Sequence, residues 1–158
     1  MQFRIGNGID FHQLVADIPL IIGGITIPYD RGSKGHSDGD VLIHTIVDAI
    51  LGALTKGDIG VHFPSDNQKY KNANSILFLE YANNLVLENG YSIENLDSTV
   101  ILEKPTLKPY ILDMREKISS ILSLNIDNVS IKATTTDKLG FIGKGVGIAA
   151  MSSILLKK

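Results

Sequence analysis

Residues 41–54, VLIHTIVDAILGAL, constrain the chain more than any other stretch. Leu42, Ile43, Ile46, Val47, Ile50, Leu51 and Leu54 make the segment apolar on nearly every side, so the pattern predicts a helix buried all round. Its polar residues are therefore informative. His44 and Asp48 are four apart and stack on one face, and Asp40 lies four residues earlier on the same line. A polar stripe on a buried helix has to meet a partner group, a metal or a wet cleft, because an unpaired polar group in an apolar interior costs roughly 2–7 kcal/mol. A core histidine satisfied by a neighbouring carboxylate is one outcome, and a ligand site is the other.

The helix is entered through His36-Ser37-Asp38-Gly39-Asp40. Asp38 or Asp40 is the expected N-cap, and the free N–H groups of a helix start suit a phosphate. Upstream, residues 3–12 alternate. Phe3, Ile5, Ile9 and Phe11 are expected to face the core, with Arg4, Gly8, Asp10 and His12 on the opposite face of a strand. Asp10 and His12 then emerge side by side, where an Asp-x-His pair can chelate a cation.

A chain of 158 residues is expected to form one domain, 1–158, with a sizeable core. A formal charge of -2 gives no reason to expect nucleic acid or an anionic membrane as partner. There is no cysteine, which excludes disulfides, thiolate metal sites and a cysteine nucleophile. Any metal must be held by histidine and carboxylate. The start of the chain lacks the apolar run of a signal peptide, and the long apolar helix is interrupted by His44 and Asp48, so a soluble, intracellular protein is expected.

Further along, residues 20–28 read as a hairpin about Gly23-Gly24, and 30–35 as a polar loop. Residues 56–67 form a long connection in which Asp58 reads as a turn acid and His62 as an unpaired surface histidine. An amphipathic helix is expected over 75–89, stopped by Gly90, then a strand over 96–102. A proline-bracketed loop over 103–109 leads to a helix over 110–122, followed by strands over 129–135 and 147–156. With strands at both ends and helices between, the fold class is α+β, a mixed sheet packed against helices.

Two glycine motifs fail. Gly6-Asn7-Gly8 lacks the third glycine of a dinucleotide fingerprint because Phe11 stands there, and the glycines from Gly140 to Gly145 have the wrong spacing for a P-loop. There is no Gly-x-Ser-x-Gly and no His-Glu-x-x-His. What survives is the convergence of Asp10, His12 and His44, a donor set that suits zinc with one coordination position left open. A polar core without metal remains the alternative. Ser37, Asp38, Asp58 and the hydroxyl-rich Thr134-Thr135-Thr136-Asp137-Lys138 suit phosphates and sugar hydroxyls.

Gly8-Ile9-Asp10-Phe11-His12, Gly35-His36-Ser37-Asp38-Gly39-Asp40 with His44 and Asp48, Gly57-Asp58-Ile59-Gly60 with Phe63-Pro64, and Lys132-Ala133-Thr134-Thr135-Thr136-Asp137-Lys138-Leu139-Gly140 closely resemble the 2-C-methyl-D-erythritol 2,4-cyclodiphosphate synthase family. The similarity runs in order from about residue 3 to the end of the chain. It implies a homotrimer with active sites between neighbouring subunits, in the cytoplasm or in a plastid stroma. It also implies an intramolecular phosphoryl transfer that releases CMP in the non-mevalonate route to isoprenoids.

Residue by residue, the resemblance implies that Asp10, His12 and His44 hold zinc and that Asp137 holds a second divalent ion, magnesium or manganese. His36 and Thr135 match positions that stabilise the transition state, and Ser37 lies beside the diphosphate. Asp58, Ile59 and Gly60 match the contacts to the methylerythritol hydroxyls, with Phe63, Pro64, Ser65, Asp66 and Asn67 continuing that wall. Leu102, Glu103, Lys104, Pro105, Thr106, Leu107 and Lys108 match the cytidine and ribose pocket together with Ala133, Thr134, Thr135 and Thr136. Phe141 is a further substrate contact, and Lys144 lies near an axial cavity that can hold an isoprenoid diphosphate. Asp48 is expected to orient His44 or the substrate. Two rivals use parts of the same site: a zinc-dependent phosphoesterase, and a non-catalytic trimeric protein that binds cytidine nucleotides.

Overall fold

In the computed structural model, which describes residues 1–158, the chain runs β1 (Phe3–Ala16), the hairpin β2 (Leu20–Ile22) and β3 (Ile25–Ile27), β4 (Arg31–Lys34), α1 (Val41–Ala53), the one-turn α2 (Ile59–His62), α3 (Ile76–Glu88), β5 (Ser92–Ile101), α4 (Ile111–Leu122), β6 (Val129–Thr134), the one-turn α5 (Gly140–Gly143) and β7 (Gly147–Lys157). Five strands form one sheet in the order β4-β1-β7-β5-β6. β1 and β7 pair antiparallel from Phe3 opposite Lys157 to Gln13 opposite Gly147. Only β5 and β6 are parallel, so the sheet is mixed and the class is α+β. The segment 31–34, expected as a loop, is an edge strand. It has no apolar alternation of its own and is extended because the end of β1, Gln13–Ala16, supplies its hydrogen-bonding partner.

The expected orientation of β1 is reversed. Phe3, Ile5, Ile9 and Phe11 are 53–71% exposed, whereas Gly6, Gly8 and Leu14 are buried beneath α1. The reason is close approach. A Cβ on Gly6 would lie 1.8 Å from the Ala49 carbonyl oxygen, and one on Gly8 would lie 2.0 Å from that of Thr45. The backbone of α1 rests on these two glycines, and no other residue permits that spacing. Asp10 and His12 therefore lie on the helix-covered face, directed toward His44, while the large apolar residues of β1 face away together with Met151 of β7.

α1 is buried along its length, from Val41 to Ala53, with Asp48 and Gly52 the residues left partly or fully accessible. Its inner face carries Thr45, whose hydroxyl donates to the Leu42 carbonyl 2.8 Å away and lies 2.7 Å from Ser152 Oγ on β7. Ser152 Oγ is in turn 2.8 Å from Ser98 Oγ on β5. The buried hydroxyls satisfy one another.

Asp40 is the N-cap, and it does not belong to the polar stripe that faces the cleft. Its carboxylate accepts from Ile43 N at 3.0 Å, Gly23 N at 2.9 Å and Gly24 N at 2.7 Å. One side chain thus ties the helix start to the hairpin turn, where both glycines have positive φ. Burial pushes the Asp40 carboxyl up to about 6, against the three donated bonds that oppose the shift. Asp40→Ala is expected to cost about 3 kcal/mol in urea unfolding, since it strips a buried charged acceptor from three donors. A raised carboxyl contributes stability that is complete below its ordinary pKa of 3.8 and is lost as pH rises through about 6. The gap between the two proteins should therefore narrow across that range.

Candidate metal centre and active-site cleft

β1 supplies Asp10 and His12 at a spacing of two, and α1 supplies His44 one turn after its capped start. Asp10 Oδ2 lies 2.7 Å from His12 Nε2 and 3.1 Å from His44 Nδ1. One potential donor atom from each of the three residues lies within 4.8 Å of the others. Burial alone would raise the Asp10 carboxyl, but hydrogen bonds and charge from His12 and then His44 outweigh it and hold the group well below the usual carboxylate range. A carboxylate and two imidazoles are a donor set for a divalent transition metal. His12 Nε2 and His44 Nδ1 both turn to the same Asp10 oxygen, a convergence of donor atoms that a cation would bridge. The residues fit a metal ion.

His44 is oriented from behind. Its Nε2 is 2.9 Å from Ser37 Oγ and 3.0 Å from Ser75 Oγ. The Ser75 hydroxyl also donates to Asp38, a carboxylate that only accepts, and Asp38 Oδ2 accepts from Ser75 N at 2.9 Å. Nε2 is thus occupied by hydroxyls and Nδ1 is turned toward Asp10, the arrangement of outer groups that fixes a metal-binding imidazole. From the sequence Ser75 is only the first residue of the helix expected over 75–89. It stands at the start of α3, where a serine reads as a cap, yet its side chain makes no cap bond.

A cleft of about 340 Å³ opens beside the triad and is lined by His12, His36, Ser37 and His44, and across from them by Ile59, Gly60, Phe63, Ser65, Tyr70 and Phe78. His36 Nε2 is 3.2 Å from the Asn67 carbonyl, which links the helix entry to the 64–67 loop of Pro64, Ser65, Asp66 and Asn67. Asp58 caps α2 through Val61 N at 3.0 Å. Asp48 makes no hydrogen bond to His44. It accepts instead from Ile59 N at 2.7 Å, joining α1 to α2. Burial raises its carboxyl, opposed by that bond and reinforced by Asp58 and Asp10 nearby.

A second cavity of about 370 Å³ lies at the β5–β6 end of the sheet. Leu102, Glu103, Pro105, Thr106, Leu107, Lys108, Ala133, Thr134 and Thr135 line it. Thr136, Asp137 and Phe141 line a neighbouring groove, and the Phe141 ring is 6.4 Å from that of Phe11. Lys104 and Lys144 share another groove with Tyr29 and Arg31. Within one chain, then, His36 and Thr135 line different cavities with no residue in common.

Fold and site together define an α+β domain in which two histidines and a carboxylate able to hold a metal ion stand beside a cleft. The chain belongs to the YgbB family, whose model matches residues 3–157. It is 55% identical to the 2-C-methyl-D-erythritol 2,4-cyclodiphosphate synthase of Bacillus licheniformis, over 99% of each chain. Among solved structures it is similar to the bifunctional IspDF of Campylobacter jejuni, with TM-score 0.95 and 44% identity. That match covers 99% of this chain and 42% of the bifunctional protein. It is also similar to a CDP complex of IspF from Plasmodium falciparum, with TM-score 0.86 and 38% identity over 98% of this chain and 95% of that one. No helix is long and apolar enough to cross a membrane.

Proposed function

We propose that the chain converts 4-diphosphocytidyl-2-C-methyl-D-erythritol 2-phosphate to 2-C-methyl-D-erythritol 2,4-cyclodiphosphate with release of CMP. The observation that carries this reading is the convergence of Asp10, His12 and His44 within 4.8 Å at the wall of a cleft, in a chain of this family. An oxygen of the 2-phosphate bonds to the β-phosphorus while the bond from that phosphorus to the bridging oxygen breaks, and CMP leaves with the electron pair. The triad would hold zinc, which when bound supplies a Lewis acid for a phosphate oxygen.

The chain's own residues then position and neutralise. Ser37 and His36 face the diphosphate from the start of α1, and Asp58, Ile59 and Gly60 hold the methylerythritol hydroxyls. Folding nucleophile and phosphorus together in one bound substrate supplies on the order of 7 kcal/mol at the upper end of intramolecular cases. No protein nucleophile is required, in keeping with a chain without cysteine.

The second cavity would take the cytidine and ribose, with Asp137 holding magnesium or manganese beside it. The two cavities of one chain share no lining residue, which supports an arrangement in which a neighbouring subunit brings its nucleotide pocket to the triad. The uncovered sheet face of Phe3, Ile5, Ile9, Phe11 and Met151 supports a homotrimer, since an apolar surface of this kind is characteristic of an interface. An isoprenoid diphosphate would sit in the axial cavity near Lys144, and the cytoplasm is the proposed location. Phosphorus NMR with zinc, magnesium and the diphosphocytidyl substrate tests the reaction. CMP and a cyclic diphosphate in equal amounts are expected, whereas orthophosphate would replace this reading with that of a phosphoesterase.

A further inference from the structure

α2 has four residues, too few for a helix to hold itself, and none of them is buried. Yet it brings Ile59 and Gly60 to the cleft, with Phe63 directly after. Its start is fixed by Asp48 and by the Asp58 cap. Its end is fixed by a histidine that the sequence leaves without a partner. His62 Nε2 lies 2.9 Å from the Lys56 carbonyl oxygen, which only accepts, so Nε2 carries the proton. The lone pair of Nδ1 then accepts from the Tyr81 hydroxyl at 3.0 Å. One imidazole closes residues 56–62 into a ring and fastens that ring to α3. The Tyr81 ring also meets Phe63 edge-on at 5.2 Å, and Phe63 stacks at 4.2 Å on Phe78, three residues before Tyr81 on the same helix.

We propose that His62 and Tyr81 form a latch that sets the position of the 58–63 wall, which makes both of them positioning residues for the methylerythritol end of the substrate. The assignment rests on the function proposed above. Neither side chain lines the cleft, and α2 has no fully buried residue and packs on the core only through the partly buried Ile59, so releasing the latch displaces the wall without unfolding the domain. The nucleotide cavity lies elsewhere and is untouched.

The test is steady-state kinetics of wild type, Tyr81→Phe, His62→Leu and the double variant, with CMP affinity and melting temperature measured on the same proteins. Each single variant is expected to raise KM for the diphosphocytidyl substrate roughly 5- to 10-fold, the loss of one or two hydrogen bonds, and to leave CMP affinity and melting temperature unchanged. The double variant should be no worse than His62→Leu, because Tyr81 acts through the imidazole. Unchanged KM in active variants overturns the latch, as does a loss of CMP affinity in step with KM. If the wild type itself makes no cyclic diphosphate, the proposed function fails and the latch falls with it.

Discussion

His12→Ala is expected to abolish turnover, lowering kcat/KM by about 10³-fold or more, while the circular dichroism spectrum stays that of the wild type. The magnitude follows from the role of the centre: removing one preorganised electrostatic group at a reacting phosphate or carbonyl costs about 10²–10³-fold, and loss of a ligand removes the metal's contribution as well. The fold should survive, since His12 is partly exposed and the partner it leaves, Asp10 Oδ2, keeps His44 Nδ1 at 3.1 Å. Metal content separates the possible causes. Wild-type protein should carry about one zinc per chain and lose activity on chelation, regaining it when zinc is added back. The variant should hold less metal and show no recovery. Retained activity in a zinc-free variant would remove the triad from the mechanism.

Gly8→Ala should damage the fold and the triad together. Its Cβ would stand 2.0 Å from the Thr45 carbonyl oxygen and 3.0 Å from Asp48 Cβ, so α1 has to lift away from β1 by more than an ångström. Overpacking of this kind costs about 3 kcal/mol. Because Thr45 follows His44 and Gly8 lies two residues before Asp10, the same displacement pulls two members of the triad apart. A drop in the urea midpoint together with weaker zinc binding is therefore expected. Gly52→Ala is the control. It sits on the same helix, its Cβ would meet only the Asn7 carbonyl oxygen at 3.9 Å, and it should stabilise by about 0.5–1 kcal/mol through helix propensity. If Gly8→Ala were as stable as Gly52→Ala, the contact of helix and strand backbones would not be what sets the height of α1.

Much of the molecule was legible in the residues before any fold was known. The continuous apolar run of 41–54 dictated a buried helix, and a buried helix forces a question about every polar group it carries, which singled out His44. Alternation in 3–12 put Asp10 beside His12, whichever side of the sheet they faced. The missing cysteine limited any metal site to histidine and carboxylate. The side itself was not legible. Period two says which residues share a face and nothing about which face meets a helix, and here large apolar residues lie on the uncovered side because two glycines let α1 down onto the other.

The roles within the polar stripe were also decided by tertiary structure. Asp40, His44 and Asp48 are equivalent by helical spacing, yet one meets the amides of the hairpin turn, one meets Asp10 and one meets the amide of Ile59. Ser75 and Tyr81 gained their partners the same way, from segments 31 and 19 residues distant in the chain. The sequence by itself determined the class of fold, the burial of α1 and the chemistry available to a metal. Tertiary structure alone decided the facing of the sheet and the partner of each polar group. Local patterns record the periodicity of a backbone, whereas a hydrogen bond or a close contact between distant segments depends on where both backbones come to rest.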